Sequence, residues 1–551
     1  MSPALSVRDL GMAFGSHQAV KRISFDIAPG ETLALVGESG SGKSATALAI
    51  MRLIEREGGR ITGGSVHLGS AAPVEVIGLD QLALQSIRGN RISMVFQEPM
   101  TSLNPVMRIG RQITEVLTRH QKQKPAEARA AAEAALARVR IPDPARRLRQ
   151  YPHELSGGLR QRLMIAMALA CKPDVLIADE PSTALDVTTQ AEILHLIRAL
   201  QAELGMAVLF ITHDMGVVAE MADRVLVLRH GEMVEEAGTD ALFAAPKAAY
   251  SRELMAATPK LGAGGPQRHP SAKPLLEVEC LVTSFRSAGG MFEKRDEIEV
   301  VKGVSLTLDA GETLGLVGES GCGKSKLARS ILRLVEPKSG KVLLDGEDVL
   351  GLNREGLRRF REDAQIVFQD PFASLNPRMP IYHAATEPAF LHGRVAEADR
   401  RDMAVELLGR VGLEPDAADR YPHQFSGGQR QRICIARALS VGPRMIVADE
   451  AVAALDVSIA RKVTDLLREI QARENIALLF ISHDIATVEL MSHRIAVMQA
   501  GEIVEMGHTD DVIGAPKHPY TAKLIAAVPS PVPLRARTHP ITPAPKLAEH
   551  A

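Results

Sequence analysis

The chain has 551 residues, 46% of them hydrophobic and 24% charged, and its 65 Lys and Arg balance 66 Asp and Glu for a formal net charge of −1. That length allows several domains with sizeable cores, and the charge balance argues against a protein that coats nucleic acid. Four scattered cysteines, Cys171, Cys280, Cys322 and Cys434, form no CxxC pair, which speaks against a disulfide scaffold, a zinc ribbon or a cysteine-ligated iron–sulfur cluster. The opening MSPALSVRDLGMAFG lacks the charged-then-apolar layout of a signal peptide. No run of about 18 apolar residues appears, so the expectation is a cytoplasmic, multidomain protein without a membrane span.

In chain order, the apolar run Thr32–Val36 reads as a strand, and the helical run TALAIMRLIE follows a glycine-rich loop. Strand, loop and helix together are the context that phosphate binding requires. The backbone N–H groups of Gly37, Glu38, Ser39, Gly40, Ser41 and Gly42 are expected to close around phosphate oxygens, helped by the positive end of the helix. Lys43 then reaches the terminal phosphates and the Ser44 hydroxyl ligates Mg²⁺. Farther on, Ala126–Ile141 is alanine-rich and helical, suggesting an inserted helical subdomain. The strand Val175–Ala178 ends in Asp179 and Glu180, and the strand Ala207–Ile211 leads to His213. Short β-branched and leucine-rich runs alternating with helical patterns predict an α/β fold around a parallel sheet. Asp179 suits the water shell of Mg²⁺, and Glu180, pointing elsewhere, suits the polarisation of an attacking water. An Asp-Glu pair alone is sometimes only a solvated loop and a lone histidine is more often structural; the phosphate loop beside the pair and the motifs around the histidine change both readings.

The same text is then written again. Gly30–Ser44 returns as Gly311–Ser325, Met94–Pro105 as Ile366–Pro377, Tyr151–Arg162 as Tyr421–Arg432, Val175–Val187 as Met445–Val457, and Leu209–Asp214 as Leu479–Asp484. Two homologous domains therefore lie in tandem at 1–256 and 275–528. A Gly/Pro-rich linker at 257–274 joins them, and a Pro-rich tail at 529–551 reads as extended or disordered. The second phosphate loop is Gly318, Glu319, Ser320, Gly321, Cys322, Gly323, Lys324 and Ser325, and Asp449, Glu450 and His483 repeat the later positions. Cys322 reads as merely a small residue within that loop.

Ser-Gly-Gly-x-Arg-Gln-Arg, once per half at Ser156–Arg162 and Ser426–Arg432, resembles the signature motif of ATP-binding-cassette ATPases. With the phosphate loops, the acidic pairs, Gln97 and Gln369, Asp186 and Asp456, and the two histidines, the match covers nearly the whole chain outside linker and tail. The resemblance implies an α/β fold of two tandem P-loop ABC ATPase domains, each a RecA-like α/β core with a helical signature subdomain. It also implies head-to-tail cassettes with ATP and Mg²⁺ sandwiched between phosphate loop and signature, and a helix opened by Ser-Gly-Gly is itself an anion site. One site then joins Lys43, Asp179, Glu180 and His213 to Ser426, Gly427 and Gly428; the other joins Lys324, Asp449, Glu450 and His483 to Ser156, Gly157 and Gly158. Ser44, Gln97 and Asp179, with Ser325, Gln369 and Asp449, are the implied metal ligands, and the two glutamines also border the nucleotide. Both halves keep the base (Glu180, Glu450) and the histidine, so two active sites are expected. Phe14 and Phe285 fall at the family's adenine-stacking position, and each is either that platform or a core strand residue. Four residues depart from the family pattern beside its core positions: Ala45, Leu159, Lys326 and Ala451.

FQEPMTSLNP and FQDPFASLNP, with Ala515–Pro529 and its weaker counterpart APKAAYSREL, resemble the cassettes of dipeptide/oligopeptide importers. The fusion of both cassettes is most similar to the ATP-binding subunits of glutathione importers. This resemblance implies ATP hydrolysis that energises uptake of glutathione or short di- and oligopeptides. The implied partners are two integral membrane permeases and a periplasmic substrate-binding protein, with no nucleic acid. The implied location is the cytoplasmic face of the inner membrane, held peripherally through the permeases at the helical subdomains. The alternative is a soluble tandem-cassette translation factor acting on ribosomes. Such proteins typically carry a long charged helical linker, whereas Ala257–Pro274 is short and rich in Gly and Pro.

Overall fold

The computed structural model describes residues 2–98, 102–182, 185–267, 273–286, 297–453 and 455–533. Residues 268–272 of the expected linker, 534–551 of the expected tail, and residues 99–101, 183, 184 and 454 within the repeated motifs lie outside that set. The described chain forms two compact units, the first built mainly from residues up to Thr258 and the second mainly from Pro259–Val528.

The first unit runs β1 (Leu5–Phe14), β2 (His17–Ile27), β3 (Thr32–Val36), β4 (Gly59–Leu68), β5 (Val74–Glu75), β6 (Ile92–Val95), β7 (Val175–Asp179), β8 (Ala207–Ile211), β9 (Arg224–Arg229) and β10 (Glu232–Gly238). Five of these, β9-β3-β8-β7-β6, lie parallel and side by side, and β10 closes one edge antiparallel to β9. Every residue of β3, β7 and β8 is buried, which is why they read as unbroken apolar runs rather than alternating ones. A second, four-stranded antiparallel sheet has the order β2-β1-β4-β5. Leu5, Leu10 and Ile23 from that sheet, Leu33, Leu35 and Leu209 from the parallel one, and Ile50 between them share one core. The parallel-sheet reading does not reveal the antiparallel sheet. Its strand β1 breaks register between Val7 and Leu10, where Asp9 takes a φ of 47°, so the period-2 alternation that marks a strand is lost.

The second unit repeats the plan with β11 (Leu276–Arg286), β12 (Glu297–Leu308), β13 (Thr313–Val317), β14 (Ser339–Leu344), β15 (Glu347–Asp348), β16 (Ala364–Val367), β17 (Met445–Asp449), β18 (Ala477–Ile481), β19 (Arg494–Gln499) and β20 (Glu502–His508). Its sheets are β12-β11-β14-β15 and β16-β17-β18-β13-β19-β20. Even the irregularity recurs: β11 slips between Val278 and Leu281, with Cys280 at a φ of 47°.

Each unit inserts a helical subdomain between the sheet strands. In the first, helices Ile109–Gln121, Pro125–Arg138 and Gly157–Leu169 form it; in the second, Ile381–Leu391, Arg400–Arg410 and Gly427–Leu439. The alanine-rich helix covers Pro125–Arg138 rather than reaching Ile141, because Val139 caps it and Arg140 turns left-handed at φ 58°. Ala128, Ala132 and Leu136, one helical turn apart, are its buried stripe. Likewise the helix after the first phosphate loop ends at Ile50, short of the expected run, where Arg52 adopts a φ of 53° and a 3₁₀ turn, Ile54–Glu57, follows.

Part of the Gly/Pro-rich linker is fixed to the second unit. The N–H groups of Gly262 and Gly264 donate to the Glu489 carboxylate at 2.9–3.1 Å, and Gly265 N–H and the Gln267 amide donate to Asp510 at 2.9 and 2.7 Å. Glu489 is 2% exposed, so these bonds are what makes its burial tolerable. Among the described residues, no helix is long and apolar enough to cross a membrane.

Candidate functional site

The first phosphate loop leaves β3 at Val36 and enters the helix Lys43–Ile50. Gly37 and Gly42 hold φ angles of 152° and 102°, and a Cβ on them would lie 2.3 Å from the Leu228 carbonyl and 2.6 Å from the Ala19 carbonyl. Both positions therefore need glycine for conformation and for space. The second loop reproduces both at Gly318 and Gly323, against the carbonyls of Met498 and Val300. Lys43 is buried, and its Nζ donates to the carbonyls of Gly37 at 2.7 Å and Glu38 at 2.9 Å; Lys324 does the same with Gly318 at 2.8 Å and Glu319 at 3.0 Å. Each ammonium thus arches over its own loop. Cys322 is packed inside the second loop, where burial pushes its thiol up, away from the reactive thiolate.

The end of β7 delivers the acidic pair. The Ser44 hydroxyl donates to Asp179 Oδ1 at 3.1 Å, and Ser325 to Asp449 Oδ1 at 2.7 Å. Burial pushes the Asp179 carboxyl up to about 6, with the nearby Glu180 adding to the rise against the Ser44 hydrogen bond. Burial raises Asp449 as well. A hydroxyl and a buried carboxylate form an all-oxygen donor pair, which fits a hard divalent ion such as Mg²⁺.

The next residue turns away. Glu180 and Glu450 hold φ angles of 46° and 50°, unusual for a residue with a side chain. Their N–H groups donate to the carbonyls of Ile211 and Ile481, each at 2.9 Å. The turn carries the Glu180 carboxylate to Gln97, whose Nε2 donates at 3.0 Å, and to His213, whose Nδ1 lies 3.1 Å away. In the second unit Gln369 Nε2 donates to Glu450 at 2.7 Å, while His483 Nδ1 stands farther off at 3.8 Å. Burial pulls the His213 imidazole down, but its bond to Glu180 and the charge there leave it raised overall. Glu450 is lowered, first by its contact with His483. The loop serine, the two successive carboxylates, the glutamine and the histidine thus lie together within each unit.

The signature residues belong to a different element of each unit. Ser156 and Ser426 precede the helices Gly157–Leu169 and Gly427–Leu439, whose first turns are held within the helical subdomain: Arg160 donates to the Leu155 carbonyl at 2.9 Å and Arg430 to that of Phe425 at 3.0 Å. Phe14, at the end of β1, is 37% exposed, and Phe285, near the end of β11, has the Lys326 ammonium 4.3 Å from its ring centroid.

Two tyrosines were not anticipated. Tyr250 accepts a hydrogen bond from the Glu38 N–H at 3.2 Å, and Tyr520 from the Glu319 N–H at 3.1 Å, each bracing a phosphate loop from behind. Burial pushes the Tyr520 phenol up to about 12, so it stays neutral. The loop before each tyrosine is pinned in turn: Glu235 accepts from Lys247 and Ala248 N–H, and Glu505 from Lys517 and His518 N–H. The signal that could have found them is the repeated Ala-Pro-Lys-x-x-Tyr, present in both halves.

This arrangement, twice in one chain, defines a nucleotide-hydrolysing protein with two cassettes. The ABC transporter family model matches residues 20–183 and 301–453, and the model for the oligopeptide/dipeptide transporter C-terminal region matches 504–551. The chain is 48% identical to the glutathione import ATP-binding protein GsiA of Pectobacterium atrosepticum, over 96% of this chain and 90% of that one. It is 49% identical to the protein of the same name from Escherichia coli strain K12, over 97% and 90%. The chain belongs to the ABC transporter family, as an ATP-binding, ATP-hydrolysing subunit with both cassettes fused.

Proposed function

We propose that this subunit hydrolyses ATP with Mg²⁺ to energise import of glutathione or related short peptides, working with two membrane permeases and a periplasmic substrate-binding protein. The observation that carries the chemistry is the strained Glu180 and Glu450 turn, which aims each carboxylate between a glutamine amide and a histidine. In this reading Glu180 and Glu450 accept the proton of the attacking water, and His213 and His483 orient the base and contact the γ-phosphate. Gln97 and Gln369, tied to those carboxylates, report movement of the helical subdomain to the base. Lys43 and Lys324, with the loop N–H groups, bind the phosphates, and Ser44, Asp179 and Gln97, with Ser325, Asp449 and Gln369, would hold Mg²⁺. When bound, the metal would supply positive charge that offsets the negative charge of the phosphates. Phe14 and Phe285 carry the adenine.

The likeness to glutathione import proteins along nearly the whole chain supports the cargo, and the C-terminal match supports the peptide-importer branch. A periplasmic binding partner and attachment at the cytoplasmic face of the inner membrane follow from that branch. Cells lacking this subunit test the whole reading in one experiment. The wild-type gene should restore uptake of labelled glutathione, and Glu180→Gln with Glu450→Gln should abolish it while trapping ATP on the purified complex. Uptake of a dipeptide but not glutathione would reassign the cargo, and residual hydrolysis in the double variant at the wild-type rate would refute the base.

A further inference from the structure

One departure from the family pattern meets an aromatic ring in the second unit. Lys326 lies in the first turn of the helix Lys324–Ile331, and its Nζ stands 4.3 Å from the centroid of Phe285, within cation–π range. The matching residue in the first unit is Ala45, and there Phe14 is 37% exposed. The second phosphate loop therefore opens its helix with two ammonium groups, Lys324 and Lys326, where the first has Lys43 alone. No acidic residue in that first turn offsets them. Cations at a helix N-terminus oppose the macrodipole and disfavour the turn until an anion is bound. The flexible lysine stem lets its charge move from one partner to another, which a fixed backbone N–H cannot do.

We propose that Lys326 determines the affinity of the second nucleotide site, resting on the Phe285 ring and passing to the nucleotide phosphates as the base takes that ring. The inference rests on the reading of Phe285 as the adenine platform. It makes the two sites of one chain unequal: the second binds nucleotide more tightly and with a steeper dependence on salt, because one more positive charge faces the phosphates.

Calorimetric titration with ADP tests this in the full-length chain, with the first site silenced by Lys43→Ala. Lys326→Ala should weaken ADP binding about fivefold at low ionic strength. The difference should close near 1 M salt, where the screening length falls to about 3 Å. Lys326→Arg, which keeps the charge, should restore most of the affinity. Unchanged or tighter binding in Lys326→Ala, with Phe285→Ala still weakening it, overturns the role of Lys326 and leaves the adenine platform standing. Unchanged binding in Phe285→Ala overturns both.

Discussion

Glu180 and Glu450 show how much the chemistry depends on single backbone angles. A non-glycine residue in the left-handed region costs about 1–2 kcal/mol, and both cassettes retain it at φ 46° and 50°. The gain is direction: successive carboxylates on one strand end point to different tasks, Asp179 to the Ser44 hydroxyl and Glu180 to Gln97 and His213. Leu159 is informative for the opposite reason. In the second unit Ser426 and Gln429 cap the signature helix reciprocally, the Ser426 N–H donating to Gln429 Oε1 at 3.1 Å and the Gln429 N–H to the serine hydroxyl. Leu159 has no oxygen to return, and Ser156 makes no side-chain cap bond. Leu159→Gln should therefore stabilise the first cassette by about 0.5–1 kcal/mol. In scanning calorimetry this raises its unfolding transition by about 1–4 °C; a lowered transition would show that Leu159 contributes packing the cap cannot replace.

At the scale of elements, part of the linker is held in place. Gly and Pro over 257–274 read as a linker, and within it Gly262 and Gly264 are bound through their N–H groups to buried Glu489. Glycine is what permits this, since Gly265 packs so closely on Thr509 and the Ser492 carbonyl that a Cβ would lie 2.7–2.8 Å away. Glu489→Ala leaves those donors unpaired and should cost about 1–3 kcal/mol. The readout is local: exposed Lys260 should be nicked by trypsin faster in the variant than in the wild type under native conditions. Equal nicking rates would mean that Asp510 and packing alone hold the segment.

For the whole molecule, a composite site shared between the cassettes is an expectation that rests on the family resemblance. The family resemblance pairs Ser426–Gly428 with the Lys43 site, and Ser156–Gly158 with the Lys324 site. Placing a bulky cation at the signature turn then predicts a crossed defect: Ser426→Arg should abolish nucleotide trapping at the Lys43 site while binding at the Lys324 loop persists. Photo-crosslinking of labelled ATP, followed by peptide mapping, distinguishes the two loops. Loss confined to the Lys324 loop would reverse the pairing.

The sequence by itself determined the double cassette, because five motifs recur in one order and glycine loops, acidic strand ends and signature serines are chemistry written in contiguous residues. It also exposed the central strands, since strands buried on both faces are apolar without interruption. Tertiary structure alone decided the rest. The antiparallel sheet was hidden by bulges at Asp9 and Cys280 that disrupt its alternation. Tyr250 and Tyr520 brace loops about 200 residues away in the chain, the contact of Glu38 with Tyr250 spanning 212 positions and that of Glu319 with Tyr520 spanning 201. Glu489 looks like any surface acid until the linker folds over it, and Lys326 like a stray charge until β11 brings Phe285 beneath it. Contacts between residues distant in sequence leave no local period, so only the folded chain shows which polar groups meet.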